Sequence, residues 1–155
     1  MNLSQYRLDE KLLTIFDHLT DEQKIETAIQ EYTIEDIERI FTYYELEQHP
    51  YTKKLILDRC ENSPQDLFRY ARDMICGRWL EAEPIIMTYP GCAYLYSYYV
   101  IKGRWPEAEP IIMTDPYCAY AYSRSVIKGR WLKAEPIIMT NNFWWNVYLA
   151  DVLRI

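Results

Sequence analysis

The sequence predicts an all-α fold: helical hairpins stacked as a short α-solenoid, closed at its N-terminal end by a helical cap. Three observations predict it. The segment Gly77-Arg78-Trp79-Leu80-Glu81-Ala82-Glu83-Pro84-Ile85-Ile86-Met87-Thr88 returns, little changed, at 103–114 and at 129–140, with an offset of 26 residues each time. Repetition at a fixed period of this size marks stacked supersecondary units. Between recurrences, apolar and small residues fall on one helical face, as Ala119, Tyr122, Ser123, Val126 and Ile127 do at i, i+3, i+4, i+7 and i+8. Prolines and glycines punctuate the boundaries of the three full copies.

Residues 1–62 form an acidic region that reads as helices without the repeat. Leu8, Leu12, Ile15, Phe16 and Leu19 make a first stripe that ends near His18. Thr20-Asp21-Glu22-Gln23 is a capping box that starts a second helix, with Ile25, Ala28 and Ile29 as its apolar face. Thr33 starts a third, with Ile37, Ile40, Phe41 and Tyr44 inward, and His49-Pro50 breaks it. A fourth, about Thr52 to Cys60, carries Leu55 and Ile56. These helices are expected to cap the solenoid, since a terminal unit must cover an apolar face.

The repeats occupy 63–88, 89–114, 115–140 and the partial copy 141–155, expected as one continuous domain. In the third copy Asp115 caps a helix and Pro116 takes its first turn. Lys128 stands near the negative end of the dipole, and Gly129 is expected in the left-handed closing position, as are Gly77 and Gly103. We call this helix A. Its partner, helix B, is expected to be short or broken: Trp131 to Glu135 makes one turn, and Pro136-Ile137-Ile138-Met139 is the second piece. A strand over Ile-Ile-Met is too short and too close to proline. Ser63-Pro64 and Tyr89-Pro90 begin the other helices A; a fourth begins at Asn141, with Tyr148, Val152 and Leu153 in the slots of Tyr122, Val126 and Ile127.

Positions identical in all copies are those a self-stacking interface requires. Trp79, Trp105 and Trp131 are therefore expected as wedges in the repeat core, with Gly77, Gly103 and Gly129 beside them. Arg78, Arg104 and Arg130 are expected to pair with Glu83, Glu109 and Glu135; exposed pairs of this kind give about 0–1 kcal/mol each. Positions that vary lie on the far side of helix A. They run from Gln65, Asp66, Arg69, Arg72 and Asp73, through Gly91, Cys92, Leu95, Tyr98 and Tyr99, to Tyr117, Cys118, Ala121, Arg124 and Ser125. A face that turns from charged to aromatic is a candidate contact surface, carried by Leu95, Tyr98, Tyr99, Tyr117 and Arg124. Packing of the same rings against the next repeat is an equal reading. At the C-terminal end Trp145 replaces Ala93 and Ala119, while Phe143 and Trp144 replace surface positions. Either these two fold back over the missing helix B, or two chains meet there as a homodimer.

Arg104-Trp105-Pro106-Glu107-Ala108-Glu109-Pro110-Ile111-Ile112-Met113 and Asp115-Pro116-Tyr117-Cys118-Ala119-Tyr120-Ala121-Tyr122, followed by Val126-Ile127-Lys128-Gly129, resemble a repeat of uncharacterised proteins of tailed bacteriophages and some large DNA viruses. The resemblance spans about residues 63–155. It implies a viral origin and a helical solenoid, and it implies no catalytic residues.

Composition narrows the function classes. The chain has 155 residues and half of them are hydrophobic. No apolar run approaches the ~20 residues of a membrane span, and Met1-Asn2-Leu3-Ser4 opens no signal peptide, so a cytoplasmic location, in the host cell if viral, is expected. Four cysteines stand without a CxxC or Cys/His cluster, which argues against zinc and for free thiols. Residues 1–62 hold 14 acidic against 7 basic side chains, and 63–155 hold 9 against 10. Nucleic acid is not an expected partner, nor is a membrane. His18 and His49 belong to no catalytic spacing, and no nucleophile elbow or phosphate loop occurs. No cofactor and no enzymatic activity are expected. A non-catalytic protein that binds another protein, such as a host defence protein that it inhibits, is the first functional reading. The others are a small-ligand or nucleotide sponge using Arg104, Arg124 or Arg130, and a structural virion or assembly component.

Overall fold

The computed structural model describes residues 10–47 and 49–154. All regular structure among them is helical, and it falls into two compact units, Met1–Glu61 and Asn62–Ile155.

The first unit holds α1 (Glu10–Phe16), α2 (Asp21–Glu31), α3 (Ile34–Tyr44) and α4 (Pro50–Arg59). Both arms of the capping box at the start of α2 are present: the Gln23 amide N–H donates to the Thr20 hydroxyl, and the Thr20 amide N–H donates to the Gln23 side chain. Phe16, Ile25, Ala28, Ile29, Ile37, Ile40, Phe41 and Ile56 are buried, and the Phe16 ring meets those of Tyr32 and Tyr44. Arg59 closes the unit by donating to the backbone carbonyls of Ile29 and Tyr32, so one guanidinium satisfies acceptors left over at the end of α2. Two expectations differ. Ile15 is 49% exposed rather than inward, because α1 is only two turns long and Phe16 alone reaches the core. Leu8 lies outside the described residues. Pro50 does not end a helix but begins one: α3 has already stopped at Glu45, which takes the left-handed conformation (φ 56°), and Pro50 sits in the first turn of α4 behind His49 as its cap.

In the second unit each helix A has two parts. An α-helical stretch runs into a last turn of π-helix: α5 (Pro64–Tyr70, then Ala71–Ile75), α7 (Pro90–Tyr96, then Ser97–Ile101), α9 (Pro116–Tyr122, then Ser123–Ile127) and α11 (Asn142–Tyr148, then Leu149–Leu153). Each helix B is a single turn: α6 (Glu83–Ile86), α8 (Glu109–Ile112) and α10 (Glu135–Ile138). Proline falls in the first turn of each helix B, where its missing N–H costs nothing. Preceding it, Ala82 and Glu83 both donate to the Trp79 carbonyl, so the chain enters the turn without a break.

Successive helices A lie side by side and run the same way, since their starts touch starts and their ends touch ends. Each helix B packs on the helix A of its own repeat and on that of the next. The unit is thus a stack of helical hairpins. Trp79, Trp105 and Trp131 are buried in it, with Ala82, Ala108, Ala134 and Ile86, Ile112, Ile138.

The glycines do not play the expected part. The left-handed residue at the end of each helix A is the one before, Cys76, Lys102 or Lys128, and Arg154 in the last copy, with φ between 54° and 59°. Gly77, Gly103 and Gly129 have no positive φ, and a Cβ at Gly103 or Gly129 would meet nothing within 4 Å. Each helix A closes through its π turn, in which the Ser97 carbonyl of α7 accepts from both Lys102 and Gly103.

Candidate functional site

Two sets of side chains carry the character of the repeat unit. One joins the repeats; the other is displayed.

The joining set is a four-residue contact present three times. The Tyr96 hydroxyl accepts from the backbone N–H of Trp79 (2.7 Å) and donates to Glu83 Oε1 (3.1 Å), while Arg78 grips the same carboxylate in a fork at 2.8 Å to each oxygen. Tyr122 does the same for Trp105, Glu109 and Arg104, and Tyr148 for Trp131, Glu135 and Arg130. The rings of Tyr96 and Tyr122 meanwhile pack on the tryptophans of their own repeats, with centroids 5.1 Å apart for Tyr96–Trp105 and for Tyr122–Trp131. Ring and hydroxyl therefore belong to different repeats, and one side chain fastens two units. The expected Arg–Glu pairs exist, but Glu83 and Glu109 are buried, so each pair is the anchored base of this contact rather than a surface ladder. Burial, aided by Glu109, pushes the Tyr122 phenol up to about 12 and keeps it a neutral donor. The tyrosine slot, occupied by Tyr70, Tyr96, Tyr122 and Tyr148, is identical in all four copies. That identity was a readable signal; the hydroxyl's partners were not.

Arg130 holds the Glu135 carboxyl below its ordinary value of 4.5, chiefly by its hydrogen bonds, with Tyr148 adding to the effect. A carboxyl lowered in the folded state contributes stability in full above 4.5 and loses it as the pH falls through the lowered folded value. Glu135→Gln is expected to be less stable near neutrality and to lose less on acidification. Urea midpoints taken across the acid range check this; parallel curves for the two proteins would contradict it.

The displayed set lies on the outer face of the row of helices A. Tyr98 (43% exposed) and Tyr99 (49%) stand together at the π turn of α7, because Ser97 takes the inward position and hydrogen-bonds back to the Ala93 carbonyl. Their rings meet edge to face at 4.8 Å. They wall a depression of about 680 Å³, which is also lined by Lys102, Arg124, Ser125 and Lys128. A second depression adjoins it along Tyr94, Tyr98, Tyr117, Tyr120 and Trp144, and a third along Lys128, Asp151 and Arg154. Arg124 borders all three, so they adjoin one another across the second to fourth repeats, and together they are called the trough. Arg124 is steadied there by Asp151 (3.4 Å) and the Tyr120 hydroxyl (3.2 Å).

Of the expected contact residues, Tyr98, Tyr99, Tyr117 and Arg124 line the trough, and Leu95, half-buried, does not. Cys92, Cys118 and Ala121, read as far-side positions, are buried. Side-by-side helices cover each other's flanks, leaving a narrower outer strip than a lone helix would show. Trp144 does not fold over the place of a missing helix B. It rests, half-buried, on Tyr117 (4.7 Å) and Tyr120 (5.5 Å, nearly parallel), while Phe143 stays exposed, edge-on to Trp144. Arg104 and Arg130, proposed for a nucleotide, are engaged by Glu109 and Glu135. Lys102, Lys128 and Arg154 were not anticipated, although Lys-Gly in the same slot of two copies marks the first two.

All four cysteines are free thiols, and Cys76 alone is exposed. Burial pushes the Cys92 thiol up to about 11, and burial with Asp115 nearby pushes Cys118 to about 12. A thiol-reactive dye near neutral pH is expected to label Cys76 quickly and the other three only on unfolding. Fast reaction of a second thiol in the native protein would contradict the packing described.

Among the described residues no group of His, Cys, Asp and Glu is arranged to hold a metal, and no helix is long and apolar enough to cross a membrane. Fold and surface together define an all-α helical-repeat protein with an aromatic and basic trough on its helix A face. No family model, curated protein or solved structure matches the chain.

Proposed function

We propose that this chain is a non-catalytic helical-repeat protein that binds another protein through the trough on its helix A face. The observation that carries the reading is the exposed aromatic cluster: Tyr98, Tyr99 and Tyr117 are each more than two-fifths exposed and share one depression system with Trp144. The repeat core accounts for Trp79, Trp105 and Trp131 and for Tyr96, Tyr122 and Tyr148, whereas Tyr98, Tyr99 and Tyr117 touch only outer-face side chains such as Tyr94, Arg72 and Trp144 and keep much of their surface open. Tyrosine and tryptophan contribute large contact areas at low entropic cost, which is why they dominate binding hot spots. Identical residues hold the repeats together, and different residues face outward, as in repeat proteins that bind along a stacked face. The resemblance of the repeat to those of phage and viral proteins supports a host protein, held and thereby blocked, as the partner.

The test is affinity purification with the tagged chain from expressing cells, comparing wild type with Tyr98→Ala/Tyr117→Ala. The partner captured by wild type is expected to be lost from the variant while the circular dichroism is unchanged. Undiminished capture by the variant removes this surface from consideration.

A further inference from the structure

We propose that the trough takes an acidic, extended peptide segment of the partner, with Lys102, Lys128 and Arg154 as successive anchors for its carboxylates. This rests on the trough being a protein-binding surface, and it names the chemistry that surface selects.

The three cations occupy one slot in consecutive repeats, at the end of each helix A, and all three border the trough. Among the described residues none of them has an ion-pair partner, and the carboxylate that lines the trough, Asp151, is already held by Arg124 and Tyr120. Each cation stands in the left-handed conformation, which glycine adopts at no steric cost and a long side chain does not. A cation near a helix C-terminus does favour the helix, but the first repeat closes in the same geometry with Cys76. The fold therefore does not require a charge in this slot, and three copies keep one in an unfavourable conformation.

Neighbouring helices pack about 8–10 Å apart, so the anchors recur at about that interval. A segment in the extended polyproline II conformation advances about 3.1 Å per residue and turns once every three residues, which puts acidic residues three apart on one face and in register with them. Between anchors, apolar side chains of such a segment would lie on Tyr98, Tyr99 and Tyr117. A nucleic acid strand is a poorer match: residues 63–155 hold 9 acidic against 10 basic side chains, too small a positive excess for a dense polyanion, whereas a peptide with a few carboxylates needs only the three anchors.

The test begins with selection of random displayed peptides on the full-length wild-type protein, counter-selected on Tyr98→Ala/Tyr99→Ala. Recovered peptides are then synthesised and titrated by fluorescence anisotropy. They are expected to carry an excess of Asp and Glu with interspersed apolar residues, and to weaken as salt is raised. Lys102→Gly/Lys128→Gly is expected to raise Kd about tenfold, as the loss of two exposed ion pairs implies, while its melting temperature is equal or higher, since glycine suits the left-handed slot. Neutral or basic peptides, or an unchanged Kd in the glycine variant, overturn the acidic inference and leave the aromatic surface standing. Displacement of the peptide by oligothymidylate at equal concentration overturns it in favour of nucleic acid. Recovery of no peptide specific for the wild type removes both this inference and the protein-binding surface beneath it.

Discussion

Trp105→Ala is expected to destabilise the protein by about 3–5 kcal/mol, the cost of deleting a large side chain from a packed interior. Trp105 is 2% exposed, and the Tyr96 ring packs on it at 5.1 Å. Its cavity would open between two repeats with helices fixed on either side, leaving little room for collapse. The backbone N–H of residue 105 would still donate to Tyr122, so the loss reports packing alone. Urea unfolding followed by circular dichroism measures it. A change below about 1 kcal/mol, the range of ordinary surface substitutions, would mean that the indole is not a wedge between repeats. Trp131, next to the last helix and 5% exposed, is expected to cost less on the same truncation.

Tyr122→Phe separates the other half of the same junction. It keeps the ring that packs on Trp131 and removes the hydroxyl that accepts from the Trp105 N–H at 2.7 Å and donates to Glu109 at 3.2 Å. A buried N–H is left without a partner, and Glu109 loses one of its donors, for about 1–3 kcal/mol. By contrast, Tyr94→Phe removes only a hydrogen bond from the Ser125 hydroxyl on the outer strip and is expected to change stability by less than about 0.5 kcal/mol. Equal effects in the two variants would show that the Tyr122 hydroxyl is not what fastens adjacent repeats. Because Trp105 and Tyr122 meet at one junction, the double variant is expected to be less destabilised than the two single losses added together.

Both effects follow from how a stack of identical units divides its labour. Contacts between repeats must be the same at every junction, so the residues that make them recur; nothing holds the outward residues alike, and Arg72, Asp73 and Gln65 of the first copy give way to Tyr98, Tyr99 and Tyr117 in later ones. The trough is built from this second group and overlies the first.

The 26-residue period, the Pro and Asp or Asn starts of the helices A, the capping box at Thr20 and the burial of the three tryptophans were legible in the sequence alone, because each depends on residues close in the chain or on identity between copies. Only the tertiary structure decided the rest. It put the left-handed closure on Cys76, Lys102 and Lys128 rather than on the glycines, at the end of a π turn that has no periodicity signature in so short a segment. It buried Cys92, Cys118 and Ala121, because the flank of one helix is covered by the next, at a distance of a whole repeat. It also joined Tyr122 to Glu109 and Trp105, and brought Lys102, Lys128 and Arg154 to one trough, through contacts between residues 13 to 26 positions apart whose geometry is fixed by how helices pack and not by local preference.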